Sequence, residues 1–319
     1  MKKILLAMVA ALAIGLIYLY NNPANLVLGL NLLADMHKGI TRHSLQLDGE
    51  DWVYNTKGTG EPLVLVHGFG GSKESWDAVL PLLAEHYQVI AVDLPGFGES
   101  SKNPDKNFTI ASQTVLLNHF VRQLGLKQFY LAGNSMGGAI AGEYAAKYPH
   151  KVKGLWLISP AGVQAAEPSE FETHFDDTGD NIMVAATNDQ FDGMLAWLFY
   201  TPPKVPWLVK SALVMQGVKN ADFLDYAYED LLSDWAPLED ALENFEVPVL
   251  ITWGANDRIT HVSGAQALAD ILPDVELQVL PRCGHVAMLE YPEITAQKFI
   301  AFAKAAAERE TPPEPAAPL

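Results

Sequence analysis

Short, wholly apolar runs alternate with helix-length segments along most of this chain, and this alternation restricts its fold more than any other feature. The first run, PLVLV at 62–66, is followed by a predicted helix at 74–85 and then by YQVIAVDLPGFG, a predicted strand that ends in a loop. Apolar runs of about four to eight residues are typical of strands buried on both faces of a sheet. Strands separated by helices predict a parallel, doubly wound sheet with right-handed crossovers.

The same alternation continues toward the C-terminus, and a turn pattern precedes it. Residues 44–58 alternate around Asp48-Gly49, a pair that favours a tight turn, so two strands joined by this turn are predicted. The further predicted helices are 109–124, 135–148, 262–271 and 291–307, and the further predicted strands are QFYLAG, VKGLWLIS, 247–254 and 275–281.

The alternation breaks at residues 161–238, where no buried strand is predicted. This stretch contains helical pieces, several prolines and many large apolar side chains. It therefore predicts a helical cap inserted into an α/β core that consists of residues 44–160 and 239–307. The candidates for contact with an apolar substrate are three cap residues, although large apolar side chains also form the core of a cap: Leu195, Trp197 and Phe199.

The composition excludes several functions. Hydrophobic residues make up 49% of the chain, which is enough for a sizeable core, and 38 acidic against 21 basic residues give a net charge of −17. No cluster of Lys and Arg is present, so a nucleic-acid partner is not expected. The acidity would repel anionic lipid, so any membrane contact should be apolar. The single cysteine, Cys283, excludes an internal disulfide and a metal cluster built on cysteines.

The two ends of the chain differ from the rest. Within residues 1–35, Lys2 and Lys3 precede a run without charge from Ile4 to Tyr20. We favour an uncleaved hydrophobic anchor helix, which would hold the folded domain at the membrane on the extracytoplasmic side. The alternatives are a signal peptide that is cleaved before secretion, and a buried N-terminal helix. The proline-rich end, residues 308–319, is predicted to be disordered.

Residues suited to catalysis follow four of the predicted strands. Active sites in open α/β sheets lie at the carboxyl ends of the strands. A glycine-rich loop follows the strand at 62–66, and Ser135 in GNSMGG follows QFYLAG. Asp257 and His285 follow the two later strands. In chain order these residues are a nucleophile, an acid and a base.

The chemistry of a serine nucleophile explains this combination. A serine hydroxyl needs a base such as imidazole, and the imidazole needs a carboxylate to fix its tautomer. Gly133 and Gly137 fit a strained turn from strand to helix, where side chains at these positions would be crowded. The backbone N–H groups of Met136 and Phe69 are the predicted donors to a developing oxyanion.

Each of these residues also has a simpler interpretation. Asp257 can cap the helix that begins near His261, and His285 can be a hydrogen-bonded histidine of the core. His67 begins the glycine-rich loop, for which a structural hydrogen bond is the favoured role. A Gly-x-Ser-x-Gly motif alone is weak evidence, but the strand and helix context and the order of the other residues favour the catalytic interpretation.

The segments HGFGG, DLPGFGES, GNSMGG, WGANDR and CGH resemble the α/β-hydrolase superfamily across residues 44–307. Within it, the chain resembles bacterial membrane-associated lipases and anchored monoacylglycerol lipases. The resemblance implies a mostly parallel, eight-stranded sheet with a cap after the sixth strand. It also implies a triad of Ser135, Asp257 and His285, with Phe69 and Met136 at the oxyanion hole. A nucleophilic aspartate is absent at position 135, which disfavours dehalogenase and epoxide hydrolase activities.

Three hypotheses about the function remain. The favoured function is a lipase or esterase, specific for acylglycerols or triacylglycerols, that works as a monomer without a cofactor or metal. The alternative enzyme is a C–C hydrolase of ring-cleavage diketones, which shares GNSMGG but usually has a different glycine loop. The third is a hydrolase-like binding protein, which is disfavoured because such proteins usually lack a triad residue.

Overall fold

The strands form one sheet, and their order places the predicted functional loops side by side. The computed structural model describes residues 23–310. Its strands are β1 (Thr41–Leu47), β2 (Glu50–Lys57), β3 (Pro62–Val66), β4 (Gln88–Asp93), β5 (Phe129–Asn134), β6 (Val152–Ile158), β7 (Val249–Gly254) and β8 (Val275–Leu280). The sheet order is β1-β2-β4-β3-β5-β6-β7-β8. The β1–β2 and β2–β4 pairs are antiparallel and the others parallel, which confirms the mostly parallel, eight-stranded sheet.

The first two strands form the hairpin that the sequence predicted. Asp48 and Gly49 lie between β1 and β2 with φ angles of 54° and 81°. A two-residue hairpin loop of the type favoured by the right-handed twist of strands requires positive φ at both central residues. An Asp-Gly pair accepts that conformation readily, because glycine has no Cβ and aspartate tolerates it better than most residues.

Helices cover both faces of the sheet, which explains why the central strands are apolar throughout. Val64 and Val66 of β3 pack into the core on one face, and Leu63 and Leu65 pack into the core on the other. The helices are α1 (Pro23–Lys38), α2 (Leu80–Leu83), α3 (Ile110–Gln123), α4 (Met136–Lys147), α5 (Glu170–Thr178), α6 (Asn188–Leu198), α7 (Trp207–Ser233), α8 (Leu238–Leu242), α9 (Ser263–Ile271), α10 (Ala287–Glu290) and α11 (Pro292–Glu310).

The predicted helix at 74–85 is wrong. The segment contains a 3-10 turn at Lys73–Trp76, and α2 begins only at Leu80. Pro81 has no N–H, so a helix running from residue 74 would leave the carbonyl of Asp77 without its helical donor. The ammonium of Lys38 contacts that carbonyl instead, at 3.3 Å.

The segment between β6 and β7 is helical. It contains α5 to α8, and a small cluster of buried side chains from Ala185, Phe191 and Val214 gives it a core of its own. Other apolar residues of this segment, among them Leu231 and Leu238, pack into the main core. The cap therefore rests on the carboxyl ends of the strands.

Both ends of the chain extend beyond the described residues. Most of the predicted N-terminal anchor lies outside them, and α1 packs against α7 of the cap. Within residues 23–310, no helix combines the length and the apolar character needed to span a bilayer. The last helix continues to Glu310, three residues into the predicted tail at 308–319, and the rest of that tail lies outside the described residues.

Candidate active site

Ser135 occupies a strained turn between β5 and α4. Its φ and ψ angles are 56° and −124°, a region that residues other than glycine rarely adopt. The flanking backbone holds this conformation, because the Ser135 N–H donates to the carbonyl of Ile158 at 3.1 Å and the Ser135 carbonyl accepts from the N–H of Gly138 at 2.8 Å. The turn raises the serine side chain above the carboxyl end of the sheet.

The two glycines of the motif are required by close backbone contacts. A Cβ atom on Gly133 would lie 2.0 Å from the carbonyl oxygen of Gly137, and one on Gly137 would lie 2.3 Å from that of Val66. Both distances are far below any real carbon–oxygen contact. The steric reason that the sequence suggested for these glycines is therefore present in the fold.

Asp257 and His285 meet beneath the cap. The Nδ1 atom of His285 lies 2.8 Å from Oδ2 of Asp257, and both residues are buried. The other carboxylate oxygen accepts the N–H groups of Ile259 and Thr260, and the Thr260 hydroxyl donates to Oδ2 at 3.0 Å. The aspartate thus shapes its own loop and also orients the histidine. Because an ionised carboxylate only accepts, Nδ1 carries the hydrogen and Nε2 is left as a base.

Ser135 and His285 line the same cavity, which has a volume of about 210 Å³. Within residues 23–310, Nε2 of His285 is buried and has no hydrogen-bond partner. The Ser135 hydroxyl does not reach it in this arrangement. Such hydrogen bonds are often long before a substrate binds, and proton transfer requires the two atoms to approach within about 3 Å.

The histidine loop is tied to both the sheet and the cap. The Asn134 side chain donates to the carbonyls of Ile158 and His285 at 3.0 and 3.2 Å. On the other side, the His285 N–H donates to the carbonyl of Leu198, the last residue of α6, at 2.8 Å. The backbone position of the histidine therefore depends on where the cap lies.

Glu290 strengthens the connection between the cap and the histidine loop. One carboxylate oxygen accepts the N–H of Gly284 at 2.6 Å, and the other accepts those of Tyr200 and Thr201 at 3.0 and 3.2 Å. Gly284 precedes His285 in the chain, and Tyr200 and Thr201 follow the end of α6. Asn134, Thr260 and Glu290 received no role in the sequence analysis.

The glycine-rich loop packs directly against the serine. A Cβ on Gly68 would lie 3.0 Å from Cβ of Ser135, and Phe69 lines both cavities at Ser135. His67 has the structural role favoured above. Its Nε2 accepts the Leu94 N–H at 3.1 Å, so Nδ1 is the donor to the Gly68 carbonyl at 2.7 Å. Burial lowers the pKa of His67, which favours this neutral form.

A cluster of ion pairs around the buried Lys73 connects the glycine-rich loop with the loop that follows β4. Lys73 is fully buried and forms ion pairs with Asp93, Glu74 and Glu99, at 3.0, 2.8 and 2.7 Å. Burial alone would lower the pKa of Lys73, but these carboxylates outweigh it and raise the pKa above the ordinary range. Asp93 also accepts the N–H groups of Lys73 and Glu99, so its carboxylate joins the end of β4 to both loops.

A second cavity at Ser135 has a volume of about 300 Å³ and is formed mainly by the cap. Phe69 and Met136 lie on its core side. The cap side is mostly apolar, with Phe171, Tyr228 and Leu231, and it also includes Glu172. With the cavity beside His285, two apolar spaces therefore meet at the serine.

The three cap residues proposed for substrate contact lie in different environments. Phe199 lines the cavity beside His285. Leu195 packs against the small cap core, and Trp197 lies under the Arg258 guanidinium, 4.0 Å from the ring centre. In the described part of the chain, neither of these two lines the cavities at Ser135. Residues 23–310 also contain no group of three acidic, histidine or cysteine side chains that could bind a metal.

The sheet, the strained strand-to-helix turn and the cap after β6 define an α/β hydrolase. A sequence model of the alpha/beta hydrolase fold matches residues 61–292, and the chain belongs to this family. It is similar to Lipase 1 of Psychrobacter immobilis, with 34% identity over 80% of this chain and 81% of that lipase. Monoacylglycerol lipase ABHD6 of Homo sapiens is 29% identical over 79% of this chain and 80% of that protein.

The fold comparison extends further along the chain. A solved structure described as a membrane phospholipase A, a bacterial virulence factor, has a TM-score of 0.88 and 35% sequence identity. It covers 96% of this chain and 99% of its own.

Proposed function

We propose that this protein is a serine hydrolase that cleaves carboxylic esters of lipids through Ser135, His285 and Asp257. One observation carries the proposal. The strained serine at the end of β5 shares a cavity with a histidine whose Nδ1 is fixed by a buried carboxylate and whose Nε2 is unpaired. This arrangement has the parts of a nucleophile, a base and an orienting acid.

The reaction proceeds in two halves. The Ser135 oxygen attacks the ester carbonyl while Nε2 of His285 accepts its proton, and Asp257 stabilises the imidazolium. The N–H groups of Met136 and Phe69 stabilise the oxyanion. His285 then protonates the departing alcohol, which leaves an acyl-enzyme. Water, activated by the same histidine, releases the fatty acid and restores the serine.

Lipid esters suit the walls of the site. The cavities of about 210 and 300 Å³ that meet at Ser135 are lined largely by apolar side chains. A curated relative at 34% identity is named a lipase, and a similar solved structure is described as a phospholipase. Within this class we propose an acylglycerol or triacylglycerol lipase. Phe199 contacts the acyl chain directly, while Leu195 and Trp197 act through the shape of the cap.

We also propose that the active protein is a membrane-anchored monomer with its catalytic domain outside the cytoplasm. The support is Lys2 and Lys3 before the uncharged run from Ile4 to Tyr20, and the similarity to a protein described as a membrane phospholipase A. Secretion after cleavage is the alternative. Cell fractionation with mass spectrometry of the mature N-terminus tests both, and a soluble cytoplasmic protein that retains Met1 contradicts both.

Labelling and turnover of Ser135→Ala test the proposed chemistry. Wild-type protein should react with a fluorophosphonate and hydrolyse p-nitrophenyl acyl esters and glycerides. The variant should lose both activities and keep its melting temperature. A vinylogous ring-cleavage diketone is the competing substrate. Cleavage of the diketone without ester hydrolysis, or ester hydrolysis by Ser135→Ala, would refute the proposal.

A further inference from the structure

A third cavity adjoins the candidate active site on the far side of the glycine-rich loop. Its volume is about 220 Å³. It shares Gly70, Gly71, Met183 and Met194 with the cavity beside His285, so the two are neighbours across these residues. The third cavity is therefore adjacent to the one that Ser135 and His285 line.

The lining of this cavity differs from that of the two cavities at Ser135. Lys102 is the one charged side chain among its lining residues within 23–310, although the whole chain carries a net charge of −17. Gln216 and Asn220 of α7 contribute amide groups from the cap. The cavity thus combines one cation, the neutral polar side chains of Ser72, Gln216 and Asn220, and no carboxylate.

The Lys102 ammonium has fewer protein partners than the Lys73 ammonium. The Lys102 ammonium donates to the carbonyl of Gly98 at 2.6 Å. It forms no salt bridge with any residue that the structure describes, whereas Lys73 has three carboxylate partners. Burial lowers the pKa of Lys102. The attraction of Asp93 and Glu99 would raise this pKa, but it is the weaker effect. An ammonium donates up to three hydrogen bonds, so donors remain for a ligand.

We propose that this cavity, here named the headgroup cavity, binds the phosphate of a lysophospholipid or phospholipid whose acyl ester lies at Ser135. The inference rests on the proposed ester hydrolysis and extends its substrates from the neutral glycerides proposed above to esters that carry a phosphate. An acyl chain in this cavity would cover an ammonium with hydrocarbon, which is unfavourable. A phosphate oxygen instead gains charge-assisted hydrogen bonds from Lys102, and the amides of Gln216 and Asn220 can donate to the remaining oxygens.

The test compares two esters that differ only in the phosphate. The full-length protein is assayed on 1-oleoylglycerol and on 1-oleoylglycerol 3-phosphate, both in micelles of an uncharged detergent. The ratio of kcat/KM for the phosphate ester to that for the neutral ester should fall about 10- to 100-fold in Lys102→Met, the loss expected for one charge-assisted hydrogen bond. Lys102→Gln replaces this variant if Lys102→Met does not fold.

The matched control is Lys219→Met. Lys219 is an exposed lysine of α7 near Lys102, and its removal changes the net charge by the same amount. The ratio should stay at the wild-type value in this control. An equal fall in both variants would show that long-range charge is responsible, and an unchanged ratio in Lys102→Met would exclude recognition by this side chain. Either result overturns the inference.

Inorganic phosphate is the second probe. It should compete with the phosphate ester in wild-type protein and lose this effect in Lys102→Met. Competition that depends on Lys102 without any change in the substrate ratio would identify a site for free phosphate and overturn the headgroup assignment. If neither ester is hydrolysed and a fluorophosphonate does not label Ser135, the proposed function itself fails.

Discussion

The core side and the cap side of the candidate site are held together by different forces. On the core side, buried hydrogen bonds join polar atoms across the ends of strands, as between Asp257 and His285 or Asn134 and His285. On the cap side, apolar packing dominates. In the Lys210–Asp192 ion pair of the cap, the Asp192 side chain is 64% exposed. Buried polar networks require defined geometry, whereas apolar packing tolerates changes of shape. The cap can therefore change with the substrate while the core keeps the proposed reacting groups in place.

The largest expected effect is on the core side. Asp257→Asn should lower kcat by about 10³- to 10⁴-fold, because an amide can stabilise the wrong tautomer of His285 and cannot balance the imidazolium. The measurement is steady-state hydrolysis of a soluble p-nitrophenyl ester. Circular dichroism should show an unchanged fold. A loss below tenfold would mean that the 2.8 Å contact between Asp257 and His285 is only structural.

The core side was also the more predictable side, for a physical reason. Strands buried on both faces must be apolar throughout, so the run at 62–66 marks β3 whatever surrounds it. Gly133 and Gly137 are required by contacts within one turn and its neighbouring strand. These constraints are local, and the carboxyl ends of parallel strands meet at one edge. The sequence therefore predicted that Asp257 and His285 would meet.

Contacts between distant parts of the chain were not predictable. The hydrogen bond from Asn134 to His285 spans 151 residues, and that from Tyr200 to Glu290 spans 90. No pattern of hydrophobicity marks such partners. The buried ammonium of Lys73 is a similar case, since a lysine in a polar segment normally predicts an exposed side chain. The positions of the cap side chains depend on how its helices pack, so contact of Leu195 and Trp197 with substrate stays a prediction.

The next largest effect tests the ion cluster under the glycine loops. Lys73→Met should lower the free energy of unfolding by about 3–5 kcal/mol, because it leaves the buried Asp93 carboxylate without its cation. Asp192→Asn, in the exposed cap pair, should cost about 0.2–1 kcal/mol. Urea denaturation of both variants measures the contrast. Equal losses would mean that the core and cap are not held by different forces.

Acid should weaken the same cluster. Glu99 is partly buried, which by itself would raise its pKa, but hydrogen bonds from Arg42 and Lys73 outweigh this and lower the pKa below its ordinary value of 4.5. A carboxyl group whose pKa is lower in the folded state stabilises the fold above its unfolded pKa, and this contribution is lost as the pH falls through the folded pKa. Glu99→Gln should therefore cost about 1.5–3 kcal/mol at neutral pH.

The difference in the free energy of unfolding between wild type and Glu99→Gln should narrow as the pH drops below about 4.5. It should disappear below the pKa of Glu99 in the folded state. Unfolding by urea over a range of pH measures it. The exposed Glu85 is a suitable position for the control substitution to Gln, which should show little difference at any pH. A gap between wild type and Glu99→Gln that persists unchanged into acid would show that packing, and not charge, is responsible.

The smallest effect concerns the junction between the two sides. Glu290 accepts N–H groups from Gly284 in the histidine loop and from Tyr200 and Thr201 in the cap. Glu290→Gln keeps the size but offers one acceptor instead of two, and its amide group faces backbone donors. Since these contacts set the position of His285 relative to Ser135, kcat should fall about tenfold, equivalent to about 1.4 kcal/mol, while KM changes little.

The control is Glu293→Gln, three residues along the chain at an exposed position. It should leave both kcat and KM unchanged. The rate of fluorophosphonate labelling should fall with kcat in Glu290→Gln, because labelling uses the same serine and histidine but no acyl pocket. A rise in KM with an unchanged labelling rate would show that Glu290 only shapes the cap. The junction would then belong to the cap side, where position is set by packing, and the histidine would owe its place to its contacts with Asp257, Asn134 and Leu198.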